Sequence, residues 1–151
     1  MNVDSLQAYL HRHIPLCAAM GTRVAKVDPA TVRLVAPLES NLNHRATAFG
    51  GSVAALAILA GWALVHVRLR SEGIDVHTVI QRSQVEYVEA IGGAFEARAI
   101  APSESRWLRF RSMLDRWGRG RVGIRVEVWC GAALAAVLEG DFVSIQPSPE
   151  S

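Results

Sequence analysis

The chain has 151 residues, half of them hydrophobic and a fifth charged, with sixteen Lys and Arg against fourteen Asp and Glu. That composition excludes a disordered or fibrous chain, and a net charge of +2 excludes nucleic-acid binding by bulk electrostatics. A chain of this length buries roughly two-thirds of its unfolded surface, which suits one domain over 1–151.

Charge is less even locally. From Arg98 to Arg125 eight arginines stand against Glu104 and Asp115, a pattern that reads first as a solvated face and second as a phosphate contact. Cys17 and Cys130 fit neither a metal spacing nor a disulfide framework, which suits a reduced, cytoplasmic setting. The histidines at 11, 13, 44, 66 and 77 show no ligand spacing, so neither metal nor cofactor is expected. The amino terminus, MNVDSLQAYL, lacks the positive-then-apolar order of a signal peptide.

In chain order, Asp4 and Gln7 form a candidate capping pair, and Leu6, Tyr9, Leu10, Ile14 and Cys17 recur at helical spacing until Pro15 interrupts them. Segments 22–27 and 31–36 read as two strands joined by the turn Asp28-Pro29-Ala30. A polar loop, 37–48, leads to a helix over 50–69 that is apolar nearly all round. No charged residue lies between Arg45 and Arg68, so a membrane helix is weighed and set aside. Its Ala and Gly content, its polar opening and the amphipathic strands around it point to a core helix.

A β-rich segment, 76–91, is turned by Gly92-Gly93 into a strand over 95–101. Ser103 is placed to cap an arginine-rich helix running to Trp117. Val122, Ile124, Val126, Val128 and Cys130 then alternate with Gly123, Arg125, Glu127 and Trp129, and 134–145 supplies a last strand before a tail read as frayed after Gln146. The order predicts an antiparallel α+β domain with its long helix across a curved sheet. One such sheet leaves open edges, so a homodimer, or a dimer of such dimers, is expected.

The stretch 36–64 reads APLESNLNHRATAFGGSVAALAILAGWAL. It resembles the hotdog-fold thioesterases, and more closely the YiiD carboxyl-terminal thioesterase family, in which an N-x-N-x-x-G-T-A-F-G-G-S loop precedes a helix with an L-A-G-W stretch. The run VIQRSQVEYVEAIGGAFEARA, 79–99, is similar to that family's third and fourth strands. The resemblance spans about 5–146 and implies a hotdog fold, a sheet wrapped around one central helix, and hydrolysis of an acyl-CoA or acyl-carrier-protein thioester. The sequence departs from the family at Ala46, where the family has glycine.

Gly50 and Gly51 open the long helix, where unpaired N–H groups and the helix dipole are suited to polarise a thioester carbonyl; the simpler alternative is a turn into the helix. Asn43 would hold water or the thioester by its amide, as the matching asparagine is thought to do in related hotdog enzymes, or else form an Asx-turn. Thr47 and Ser52 offer hydroxyls, one of them as the helix N-cap and either as a substrate contact. Phe49 reads as a pocket wall and His44 as a loop residue of the site. Arg106, with Arg109 and Arg111, is a candidate for the phosphates of coenzyme A.

The run Gly50-Gly51-Ser52-Val53-Ala54 is not the G-x-S-x-G of a serine hydrolase. Many hotdog thioesterases carry an acid on the long helix, but Ile58 and its neighbours are apolar, and the acid position of another branch is Asn41. Glu39, Glu86 and Glu89 remain as acids that could reach the site. The readings left are a thioester hydrolase, a non-catalytic acyl-thioester-binding or assembly module, and dehydratase or isomerase chemistry.

Overall fold

In a computed structural model, which describes residues 1–148, the chain opens with helix α1 (Val3–His13). Its cap is Asn2, not the expected Asp4–Gln7 pair: Asn2 Oδ1 accepts the N–H of Ser5 at 2.8 Å, and Ser5 Oγ accepts that of Asn2 at 2.9 Å. The reciprocal bond can be made by a serine at the third helical position, so the cap begins two residues earlier. Pro15 does not end helical structure but restarts it as the first residue of α2 (Pro15–Ala19), where a missing N–H costs nothing. Positions 149–151 of the tail expected to fray lie outside the described residues.

Strands β1 (Arg23–Asp28) and β2 (Thr31–Ala36) form the expected hairpin, and the Asp28 carboxylate accepts the N–H groups of Ala30 and Thr31 at 2.8 and 2.9 Å. After the loop comes α3 (Gly50–Ser71), then β3 (His77–Tyr87), β4 (Phe95–Ile100), α4 (Glu104–Trp117), β5 (Arg119–Cys130) and β6 (Ala133–Ile145). Ser103 caps α4 as its side chain predicts, and Gly118 ends it with φ of +70°. All six strands run antiparallel in the order β1-β2-β4-β5-β6-β3.

That order corrects one expectation. Gly92-Gly93 does not turn β3 back onto β4. Instead β3 pairs with β6, from His77 opposite Ile145 to Tyr87 opposite Ala136, at the far edge of the sheet. A period-two pattern fixes which face a strand buries and says nothing of its partner. β4 pairs with β5 only from Arg125 to Trp129, and α4 packs against the remaining length of β5 with Trp107, Phe110 and Leu114 buried.

The sheet wraps α3, whose buried positions include the unbroken run Ala63–Val67. By length and mean hydropathy (1.8 over its most apolar window) α3 could cross a membrane, but 67% of that window is buried inside the fold. Val122, Ile124, Val126 and Val128 of β5 face it, and Phe142 of β6 presses so close to Gly61 that a Cβ there would lie 2.8 Å from the ring. This is the wrapped-helix architecture of the hotdog fold.

His66 of α3 is 7% exposed, stacked on Trp62 at 4.7 Å and on Tyr9 of α1 at 5.0 Å between centroids, and its Nε2 has no hydrogen-bond partner. Burial first, then the charges of Arg70 and the amino terminus, push its pKa down from 6.5 to about 4, with Asp75 opposing. The folded state thus binds this proton less readily than the unfolded chain. Above pH 6.5 both states are neutral and the full stability is present; as pH falls from 6.5 toward 4 the unfolded state gains protons first. Urea titrations across that window should show stability falling, with up to about 1.4 kcal/mol per pH unit due to this group. In His66→Phe that share of the slope should disappear.

Candidate active site

The loop between β2 and α3 is built on two asparagines with different duties. Asn41 is 2% exposed, and its Nδ2 donates to the carbonyls of Met20 and Pro37 at 2.9 and 2.7 Å, tying the loop to the end of α2. Its own carbonyl accepts the N–H of Phe49 at 2.7 Å, so the loop closes where the helix starts. Asn43 is half-buried and organises the interior of the loop. Its Oδ1 accepts the N–H groups of Arg45 and Thr47 at 2.8 and 3.1 Å, and its Nδ2 donates to Thr47 Oγ1 at 2.7 Å. The Asx-turn anticipated as one option is therefore present, and it occupies the amide's oxygen.

Within this turn Ala46 has φ of +61°, the one non-glycine residue with positive φ among those described. An L side chain there crowds the following carbonyl, which accounts for the family's glycine at this position.

The N-cap of α3 is Phe49, which makes no side-chain cap hydrogen bond. Neither Thr47 nor Ser52 fills that role, contrary to expectation. Thr47 Oγ1 is engaged by Asn43, and Ser52 sits at the third helical position, where its N–H, like that of Val53, donates to the Phe49 carbonyl. Among the described residues the N–H groups of Gly50 and Gly51 have no acceptor. Two free donors at the positive end of a 22-residue helix are suited to bind a carbonyl oxygen or an anion.

Gly50 opens onto a cavity of about 280 Å³ that Asn43, Thr47, Tyr87, Glu89 and Ile91 also line. Tyr87 Oη donates to the Gly50 carbonyl at 3.0 Å, and Ala48 N–H donates to the Ile91 carbonyl at 2.9 Å, so the end of β3 is fastened to the loop on both sides of the cavity. Val53, Ala90 and Ala135 give it an apolar floor.

The remaining residues singled out from the sequence lie elsewhere. Phe49 is 56% exposed and covers Gly51, where a Cβ would collide with its ring, so Gly50 and not Gly51 faces the cavity. His44 is exposed, and Ser52 lies off the cavity wall. Arg106 lines a separate groove of about 420 Å³ with Arg82, Arg125, Glu139 and Asp141. Its helix is held near the carboxyl end of α3 by the 2.8 Å Arg68–Glu104 ion pair, and Arg68 lies roughly 27 Å from Gly50 by helix rise. Three of the eight arginines are held in ion pairs: Arg111 with Glu72 and Asp115, Arg98 with Glu96, and Arg125 with Glu127 and Glu139. The place of Tyr87 in the site was not legible in the sequence, although it stands in the run YVEAIGG that leaves β3.

Residues 3–146 match the family model described as "Putative thioesterase (yiiD_Cterm)". The chain belongs to the YiiD carboxyl-terminal family. Its fold is similar to that of a protein of unknown function from Chlorobaculum tepidum, with TM-score 0.91, 25% identity, and 96% of this chain and 94% of that one covered. It is also similar to a "putative thioesterase" from Shewanella oneidensis (TM-score 0.82, 23% identity, 95% and 96% covered). A thioesterase from Haemophilus influenzae shares the fold at 10% identity (TM-score 0.74, 97% and 92% covered). The YiiD-family loop and the hotdog fold thus coincide in one chain.

The strain at Ala46 gives a direct check on the loop. Ala46→Gly should relieve about 1–2 kcal/mol of left-handed strain against about 0.5–1 kcal/mol of added backbone entropy. A thermal melt should show Tm rising by roughly 2 °C; a fall would contradict the strained turn.

Proposed function

We propose that this protein hydrolyses an acyl thioester of coenzyme A or of an acyl carrier protein at the cavity beside Gly50. The observation that carries the reading is Gly50, whose N–H is without an acceptor among the described residues at the positive end of α3 and which lines a cavity of mixed polar and apolar residues. A thioester oxygen placed against that N–H gains most when it becomes an oxyanion, because the donor is already oriented. Tyr87 bonds the Gly50 carbonyl and so ties the residue that carries this N–H to the end of β3. Thr47 accepts from Asn43 and keeps its hydroxyl proton for the substrate or a water, since a hydroxyl donates once while accepting. Asn43 is in this scheme a positioning residue that shapes the loop. Val53 and Ala135 border the start of the acyl chain. Arg106 has no part in it.

The protein acts as a homodimer in this reading. Among the described residues the outer edge of β3 is unpaired along eleven residues, with Val79 and Tyr87 half exposed on it. Beside it Leu16, Ile58, Trp62 and Ile80 line an apolar groove of about 310 Å³. A second copy added at this edge would complete the ladder and cover the groove. The cytoplasm is the proposed compartment, since both cysteines are free thiols. Two observations favour the second reading, a non-catalytic acyl-thioester-binding module: no acid stands on α3, and the Asn43 oxygen is already spent.

Free-thiol release from short, medium and long acyl-CoA thioesters separates the two. Turnover is expected in the wild type, with kcat/KM at least about tenfold lower in Asn43→Ala, equal to some 1.4 kcal/mol of transition-state stabilisation. No turnover across the panel, with saturable acyl-CoA binding retained, would establish the binding module instead.

A further inference from the structure

Hydrolysis at this cavity needs a group to take a proton from water, and α3 offers none. Resting on the thioesterase reading above, we infer that Glu89 is that general base. Of the acids that the sequence leaves open, Glu39 stands exposed in the 3-10 turn Glu39–Asn41 and Glu86 sits within the β3–β6 ladder opposite Val137; neither lines the cavity. Glu89 does, together with Thr47 and Gly50.

Its placement is built into the backbone. The β3–β6 ladder stops at Tyr87, and the N–H groups of Val88 and Glu89 then both donate to the Ala135 carbonyl, at 2.7 and 3.2 Å. Two successive donors on one acceptor break the alternation of the strand and turn the chain toward the loop, where Ile91 receives the Ala48 N–H. Glu89 is therefore held between two fixed points on the cavity rim. Its carboxylate makes no ion pair or hydrogen bond among the described residues, in contrast to Glu72, Glu96, Glu127 and Glu139, which pair with arginines. A carboxylate free of partners keeps both oxygens for a water.

In the step that follows, the Glu89 carboxylate removes a proton from water as the water oxygen bonds to the thioester carbon. The carbonyl electron pair moves onto oxygen, against the Gly50 N–H. Collapse of the tetrahedral intermediate breaks the C–S bond, and the thiolate leaving group takes the proton back from Glu89. Acid and thiol are formed, water is consumed, and the carboxylate is regenerated. General bases of this kind contribute about 10²–10⁴-fold.

The test measures acyl-CoA hydrolysis by the wild type, Glu89→Gln, Glu89→Asp, Glu39→Gln and Glu86→Gln on the full chain, across pH, with thermal melts to confirm folding. Glu89 is exposed, so its substitution leaves the core intact. We expect kcat to fall at least about 100-fold in Glu89→Gln with KM within about threefold, partial activity in Glu89→Asp, and near wild-type rates in the other two. The acid limb of the wild-type kcat/KM profile should be absent from the residual activity of Glu89→Gln. Activity in Glu89→Gln within about threefold of wild type, or a persistent acid limb, would overturn the assignment while wild-type turnover left the thioesterase reading standing. A wild type that turns over no thioester would overturn both.

Discussion

A helix of 22 residues that is buried all round from Ala63 to Val67, and on all but the face of Ala55, Ile58 and Trp62 before that, needs cover from most directions, and most of this molecule is the means of covering it. Six antiparallel strands supply the wrap, and α1 closes the flank with Tyr9 against Trp62 and His66. Close approach is possible because α3 carries Gly61 where Phe142 crosses it. An apolar helix buried in this way has one polar opening, its amino end, where the first N–H groups have no carbonyl within the helix to bond. The β2–α3 loop surrounds that opening without capping it. The site is thus a consequence of the core, since the element that most needs burial is also the one whose first residue, Gly50, lines a cavity.

The loop shows how shape is made from hydrogen bonds rather than from packing. Asn41 is buried and fastens the loop to the end of α2, whereas Asn43 spends its oxygen inside the turn. Ala46 carries the conformational strain that the turn requires. The outcome is a cavity lined by Thr47 and Gly50 together with Tyr87, Glu89 and Ile91 from the end of β3 and the chain leaving it. Because Tyr87 and Ile91 bond across to Gly50 and Ala48, loop and strand form one rim and hold their separation without a ligand.

Much of the fold was legible in the sequence because it is written in local signals. The apolar run of α3, the alternation of β5, the Ser103 cap and the Gly118 stop each depend on a few neighbouring residues. Strand pairing does not, and the misreading of β3 and β4 as a hairpin follows from that: Gly92-Gly93 permits a turn but cannot choose the partner. The site divides in the same way. Gly50 and Thr47 belong to the recognisable loop string, and both line the cavity. Tyr87 and Glu89 arrive from another part of the chain, through the β3–β6 pairing and the shared acceptor at Ala135, neither of which has a local signature. Arg106 stood out for its charge, yet the length of α3 separates it from the cavity.

In the proposed reaction the Gly50 N–H receives the thioester oxygen, and a crystal structure with an acyl-CoA analogue in which a methylene replaces the thioester sulfur, leaving a ketone that cannot be hydrolysed, would show whether it does. The ketone oxygen is expected at about 2.7–3.2 Å from the Gly50 nitrogen, with Thr47 and Glu89 beside the same carbon. An analogue seated instead in the groove of Arg82 and Arg106, with the Gly50 N–H left to solvent, would contradict it.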